Sequence, residues 1–182
     1  MTSVTITNRL TLSSLSIGSK GSVRKTITSA DIDAYSKLLG DSNEIHKIPS
    51  INELSKGNNR NEQFGGRQVA HGMLSAGLIP TIFGAQIPGS LYVSQTLCFR
   101  KPVFAGDTVE ASVIVTSIRK NLVTCSTLVT RDDGEIVIQG DAKVLIPRDS
   151  TNNSIIPRDD STNNNTTCFT STSTELSTPV LR

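Results

Sequence analysis

The sequence predicts an α+β domain in which an antiparallel sheet wraps around one long central helix, and three observations carry that expectation. Between positions 66 and 85, Val69, Ala70, Met73, Leu74, Leu78, Ile79 and Ile82 interleave with Gly72, Ser75, Ala76 and Gly77. A helix apolar on nearly every face is a buried one. Four runs of strand character follow, at 91–100, 108–119, 122–131 and 136–146. Short turns at Gly106-Asp107, Lys120-Asn121 and Asp132-Asp133-Gly134 separate them, which predicts an antiparallel meander. The apolar run at 69–82 is too short to cross a bilayer, which needs about 20 residues. Something inside the domain must therefore cover it, and a curved sheet is the natural candidate.

The chain has 182 residues, 36% of them hydrophobic, enough for one domain with a sizeable core and too few for two. A formal charge of +2 and scattered aromatic residues, five Phe and two Tyr, supply no basic stripe with stacking platforms, so nucleic acid is not an expected partner. Cys98, Cys125 and Cys168 are odd in number and lack zinc or redox spacing, which suits a reducing compartment. Cys98 and Cys125 read as strand residues. The absence of any apolar run of about 18 residues predicts no membrane span. Residues 1–30 contain Arg9, Lys20, Arg24 and Lys25, many Ser and Thr, and no acid, the composition of an organellar transit peptide. The ending Val180-Leu181-Arg182 is not a peroxisomal signal. Mitochondrion is the expected location, with cytosol as the alternative.

Taken in order, residues 1–14 show no usable period and read as a targeting or disordered segment before a domain at 15–147. A short alternating run at 23–27 reads as a first strand. Thr28-Ser29-Ala30-Asp31 matches a helix capping box, and Ile32, Tyr35, Leu38 and Leu39 then recur at helical spacing up to Gly40, a common helix stop. The stretch 47–63 is polar and rich in Asn and Gly, an exposed connection long enough to be functional. In the strands, alternation is clear in Val113 and Val115 and in Leu122, Thr124, Ser126 and Leu128, as expected of sheets with one buried face. From Pro147 the composition turns to Ser, Thr and Asn, and Ile146-Pro147-Arg148-Asp149 returns as Ile156-Pro157-Arg158-Asp159. Residues 148–182 are expected to be a disordered tail.

Gly40-Asp41-Ser42-Asn43-Glu44-Ile45-His46 holds one of only two histidines together with a carboxylate. In a helix a five-residue step would turn these two side chains about 140° apart, since each residue advances about 100°. Asp41 and His46 can therefore converge only from a loop. The second histidine, His71, stands at the expected start of the buried helix.

These segments, with Phe64-Gly65-Gly66, Ala70-His71-Gly72-Met73-Leu74 and Phe99-Arg100-Lys101-Pro102-Val103-Phe104-Ala105-Gly106-Asp107, resemble the MaoC-like (R)-specific enoyl-thioester hydratases of the hotdog fold. The resemblance covers roughly residues 15–147 and is greatest to the mitochondrial 3-hydroxyacyl-thioester dehydratases. It implies reversible hydration of trans-2-enoyl thioesters to (3R)-3-hydroxyacyl thioesters, carried by coenzyme A or acyl carrier protein, in mitochondrial fatty acid synthesis. It also implies a homodimer, no cofactor and no metal. By position, Asp41 and His46 match the family's acid/base pair, Asn43 the polar residue that orients it, and Gly72 the backbone N–H of the oxyanion site. The chain departs from the family in 47–63, which is longer and more polar.

The chemistry also stands without the resemblance. Water addition needs hydroxide at Cβ, a proton at Cα and a donor for the enolate oxygen, and a carboxylate with an imidazole can hold one water and divide the proton transfers. A glycine N–H at a helix start supplies the donor and permits close approach. The bland readings remain beside this one: Asp41 as a turn residue bonding its own backbone, His46 as a surface histidine, and Asn43 as turn residue or orienting residue. His71 reads as fixing the helix start rather than as catalytic. The rival functions are a hotdog thioesterase, disfavoured because 66–85 contains no Asp or Glu, and a non-catalytic acyl-thioester-binding module.

Overall fold

A computed structural model describes residues 3–48 and 62–147 of the chain. All of them lie in the first of two units, Met1–Asn152 and Asn153–Arg182. The expected tail and most of the expected 47–63 connection fall outside the described residues. The described part is the expected α+β hotdog arrangement, a single antiparallel sheet against a central helix. In chain order the elements are β1 (Thr5–Asn8), β2 (Lys20–Thr26), α1 (Ser29–Leu39), α2 (Gly72–Ala76), α3 (Leu78–Gln86), β3 (Leu91–Gln95), β4 (Cys98–Phe99), β5 (Thr108–Arg119), β6 (Leu122–Arg131) and β7 (Ile136–Leu145). The strand order is β1-β2-β5-β6-β7-β3, with β4 also on β7.

Helix α1 forms where local chemistry dictates. The Thr28 hydroxyl accepts from the Asp31 N–H while the Asp31 carboxylate accepts from the Thr28 N–H, so two orphan amide donors of the first turn are satisfied reciprocally. Asp31 is buried, which alone would oppose its charge, yet the Thr28 hydrogen bonds and the Lys25 ammonium at 3.2 Å hold its carboxyl below the usual carboxylate range. Gly40 ends the helix in the left-handed region at φ 72°. The apolar stripe is shorter than the spacing suggested. Ile32 is buried, whereas Leu38 and Leu39 are exposed.

The central helix begins at Gly72 rather than near Gly66 and is broken once. Gly65 and Gly66 both take positive φ, and 67–70 run extended, with Val69 bridged to Phe104. The break falls at Gly77, between α2 and α3. Pro80 explains it: proline has no N–H for the Ala76 carbonyl, and its ring crowds that same carbonyl. Leu78, Ile79, Ile82 and Phe83 are buried on one face of α3 and meet the inner faces of β2, β5 and β6, including Val23, Val113 and Val123. The opposite face, with Met73, Gly77, Pro80, Gly84 and Ala85, is exposed. On β6 the buried side chains are Val123, Cys125, Thr127 and Val129, the set alternate to the one that marked the strand in the sequence.

Long-range pairing adds to one expectation and corrects another. Within residues 1–14, Thr5–Asn8 pairs with β2, and Leu10 is buried over Gly21, where an added Cβ would lie 2.6 Å from the Leu10 side chain. Four residues of edge strand and one core leucine carry too little pattern to be seen in sequence. The meander holds only for β5-β6-β7. The run at 91–100 does not precede β5 in the sheet; it bends into β3 and β4, which both pair with β7 at the far edge.

That bend depends on Gly140. The Thr96 N–H donates to the Asp141 carbonyl at 2.8 Å, and the Thr96 carbonyl would lie 1.8 Å from a Cβ placed on Gly140. Because the obstacle is backbone, Gly140→Ala should separate β3 and β4 from β7 and lower the melting temperature by several degrees. A thermal melt beside Gly84→Ala, an exposed helix position with open space and no positive φ, checks it; equal melting temperatures for the two variants would contradict the account.

Candidate active site

The left-handed Gly40 delivers the chain from α1 into a loop that folds on itself. The Asp41 N–H donates to the Ser36 carbonyl at 3.1 Å, Asp41 Oδ1 accepts from the Asn43 N–H at 3.1 Å, and Asn43 Oδ1 accepts from the Ile45 N–H at 3.3 Å. Asn43 thus caps the short 3₁₀ turn Glu44–His46. The turn reading of Asp41 is correct for one carboxylate oxygen only. Its other oxygen, Oδ2, faces the two histidines, at 3.7 Å from His46 Nε2 and 3.6 Å from His71 Nε2.

His46 is a buried residue held from both sides. Its Nδ1–H donates to the Val69 carbonyl at 2.7 Å, its own carbonyl accepts from Gln68 Nε2 at 2.8 Å, and the Val69 N–H donates to the Ile45 carbonyl at 2.9 Å. A carbonyl can only accept, so the ring proton sits on Nδ1 and Nε2 presents a lone pair. Asp41 and His46 therefore offer two acceptors about one water apart, on a side where Asp41 is 41% exposed and solvent can enter. This is the convergence expected from the loop.

His71 belongs to the same cluster, which the sequence did not indicate. Its ring stacks on His46 with centroids 3.7 Å apart and planes 22° apart, and Tyr35 of α1 lies 5.1 Å away on another side. Ser36 Oγ is 3.3 Å from His71 Nε2. His71 occupies the N-cap position of α2 without a side-chain cap bond, and its Nδ1 is buried with no partner among the described residues. Burial first, and then the neighbouring His46 charge, push its pKa below the ordinary histidine value, with Asp41 acting in the opposite sense.

Gly72, the first residue of α2, has an N–H without an intrahelical partner. Glycine is required there for a reason the sequence did not show. An added Cβ would come within 2.7 Å of the Phe99 ring, so Gly72 makes room for Phe99 as well as for any ligand. Donor atoms of Asp41, His46 and His71 all lie within 4.8 Å of one another. They do not suit a metal ion, which sits in each imidazole plane on the nitrogen lone pair. Nearly parallel stacked rings aim those lone pairs side by side rather than at one point.

The domain family described as "MaoC like domain" matches residues 17–137. An (R)-specific enoyl-CoA hydratase of Rhodospirillum rubrum is 38% identical over 134 residues, 71% of this chain and 87% of that protein. A mitochondrial 3-hydroxyacyl-acyl-carrier-protein dehydratase of Solanum lycopersicum is 39% identical over 137 residues, 73% of this chain and 78% of that protein. Among solved structures, an (R)-hydratase from A. caviae involved in PHA biosynthesis superposes with a TM-score of 0.63 at 33% identity, covering 74% of this chain and 98% of that one.

The lowered His71 pKa makes stability depend on pH. The unfolded chain protonates this imidazole near its ordinary value of 6.5, while in the folded chain burial and His46, set against the single charge of Asp41, resist protonation. Below about pH 6.5 the unfolded state binds more protons, so stability falls as the pH drops. Melting temperature should therefore decrease from pH 7.5 to pH 5.5, and His71→Phe should flatten that decrease. Parallel pH slopes for the two proteins would contradict the assignment.

Proposed function

The chain belongs to the MaoC-like domain family, and we propose that Asp41 and His46 are the acid/base pair with which it hydrates trans-2-enoyl thioesters. It is a hydro-lyase: the relatives it matches over two thirds or more of both chains are hydratases and dehydratases of acyl thioesters. The product on this reading is the (3R)-3-hydroxyacyl thioester, carried by coenzyme A or by acyl carrier protein. The observation that carries the reading is the pair of facing acceptors, His46 Nε2 and Asp41 Oδ2, 3.7 Å apart in a loop open to solvent.

A water held between them loses a proton to the pair as its oxygen bonds to Cβ. The π electrons of the double bond move onto the thioester oxygen as an enolate. The enolate then collapses and Cα takes up the proton the pair had held, so one water is added and the pair returns to its starting state. General acid/base help of this kind contributes about 10²- to 10⁴-fold. The Gly72 N–H is the donor for the enolate oxygen. Asn43 acts on the pair indirectly, by capping the turn that carries His46.

Asp41→Asn and His46→Ala should each lower turnover of crotonyl thioester by at least about 10²-fold; Asp41→Asn should barely change the melting temperature, whereas His46→Ala, which leaves the buried Val69 carbonyl unpaired, should lower it while the chain still folds. The double variant should fall little below the worse single, because groups that act as a unit lose most of their effect with the first substitution. Wild-type hydration in either single variant would refute the pairing.

The homodimer reading is supported by the edge strand β3, whose outer backbone groups lack a strand neighbour among the described residues and whose Leu91 and Val93 are exposed. Phe99, resting on Gly72, and Met73 of the central helix are exposed too. A mitochondrial location is supported by the plant relative named for that compartment. Sedimentation velocity should show a dimer at assay concentration, converted to monomer by replacing Leu91 and Val93 with Lys. A fully active wild-type monomer would overturn the dimer.

A further inference from the structure

Resting on the acid/base reading of Asp41 and His46, we infer that His71 is a positioning residue for that pair: its ring face sets the plane of His46, and its Nε2–H, within reach of Ser36 Oγ, turns a donor edge toward Asp41 Oδ2. The geometry supports each half. His71 is stacked on His46 at 3.7 Å and packed by Tyr35 at 5.1 Å, so the His46 ring has a wall on one face in addition to its Nδ1 bond to Val69. One hydrogen bond leaves an imidazole free to rock about the bonded nitrogen; a stacked neighbour removes that motion.

The second half follows from the tautomer. His71 Nδ1 is buried without a partner among the described residues, while Nε2 looks at Ser36 Oγ at 3.3 Å and Asp41 Oδ2 at 3.6 Å. A buried N–H without an acceptor is rarer in proteins than an unpaired acceptor. The proton therefore belongs on Nε2, where a hydroxyl oxygen and a carboxylate oxygen can both receive it. His46 and His71 then carry opposite tautomers, one offering a lone pair and the other a donor to the same carboxylate. Asp41 Oδ2 then faces a neutral donor at 3.6 Å while His46 Nε2 presents its lone pair to water. Two stacked imidazoles also cannot both be charged at low cost, and burial together with the neighbouring His46 lowers the pKa of His71.

The chain contains only two histidines, so the tautomers can be read directly. In the untagged full-length protein labelled with ¹⁵N-histidine, at pH 7.5, one ring should show the Nδ1–H pattern and the other the Nε2–H pattern. The latter should be assigned to His71 by its contacts to Tyr35 and should titrate below the ordinary histidine value of 6.5. An Nδ1–H pattern for His71, or a titration midpoint at or above pH 6.5, overturns the inference whether or not the chain hydrates enoyl thioesters. For activity, His71→Phe keeps the ring face and removes the donor, and His71→Gln keeps a donor and removes the face. Each should lower kcat by about tenfold or more with KM within about threefold, as small misplacements of reacting groups do. Wild-type kcat in either folded variant, or a rise in KM matching the whole loss, overturns it. Loss of activity in Asp41→Asn and His46→Ala without these effects would leave the pair standing and remove His71.

Discussion

The site depends on the short hydrogen bond from His46 Nδ1 to the Val69 carbonyl. It ties the loop leaving α1 to the extended segment entering the central helix, and the ties around it run both ways: Val69 N–H to Ile45, Gln68 to the His46 carbonyl, and Ala70 N–H to Val103. Each bond is made from backbone, or to it, inside a dry region where an unmade bond would be costly. His46 is thereby held by a framework rather than by one rotamer. The same bond selects its tautomer, and so decides that the nitrogen facing Asp41 is a base.

Around this fixed ring the cluster concentrates polar groups that a core would ordinarily exclude. Gln68, His46, His71 and Ser75 are all buried, and Gln68 Oε1, His71 Nδ1 and Ser75 Oγ lack partners among the described residues. Unsatisfied buried polar atoms each cost stability, and they gather at functional sites because reactivity requires groups not already consumed by structural bonds. The exposed member, Asp41, divides its labour between its two oxygens. Oδ1 closes the turn through the Asn43 N–H, and Oδ2 remains for the histidines and for water.

Elsewhere the sheet supplies rigidity without taking part. The long antiparallel pairs β2–β5, β5–β6 and β6–β7, the latter two each with one register shift, lie against the buried face of α3. Arg131 and Arg67 both reach Asp107, whose Oδ2 accepts from the Phe104 N–H. The connection that brackets Val69 through Phe104 is thus anchored to the sheet.

By itself the sequence determined what neighbours within a few residues decide. The capping box at Thr28 and Asp31, the stop at Gly40, the loop placing Asp41 near His46, the buried central helix and the hairpins β5-β6-β7 were all legible, because propensity, capping and turn geometry act locally. Tertiary structure decided the rest. Strand β1 and Leu10 had no pattern of their own and owe their place to β2 and Gly21. The run at 91–100 could not announce which edge it would join, since strand character is the same on either side of a sheet and only the contact of Thr96 with Gly140 and the pairing with β7 resolve it. Pro80 broke the helix at Gly77, one turn before itself. His71 read as a helix-start residue, and its stacking on His46 arises only when a loop and a helix separated by 47–63 are brought into one place. Long-range pairing leaves no short-range signature, which is why the pair was visible in the sequence and its third partner was not.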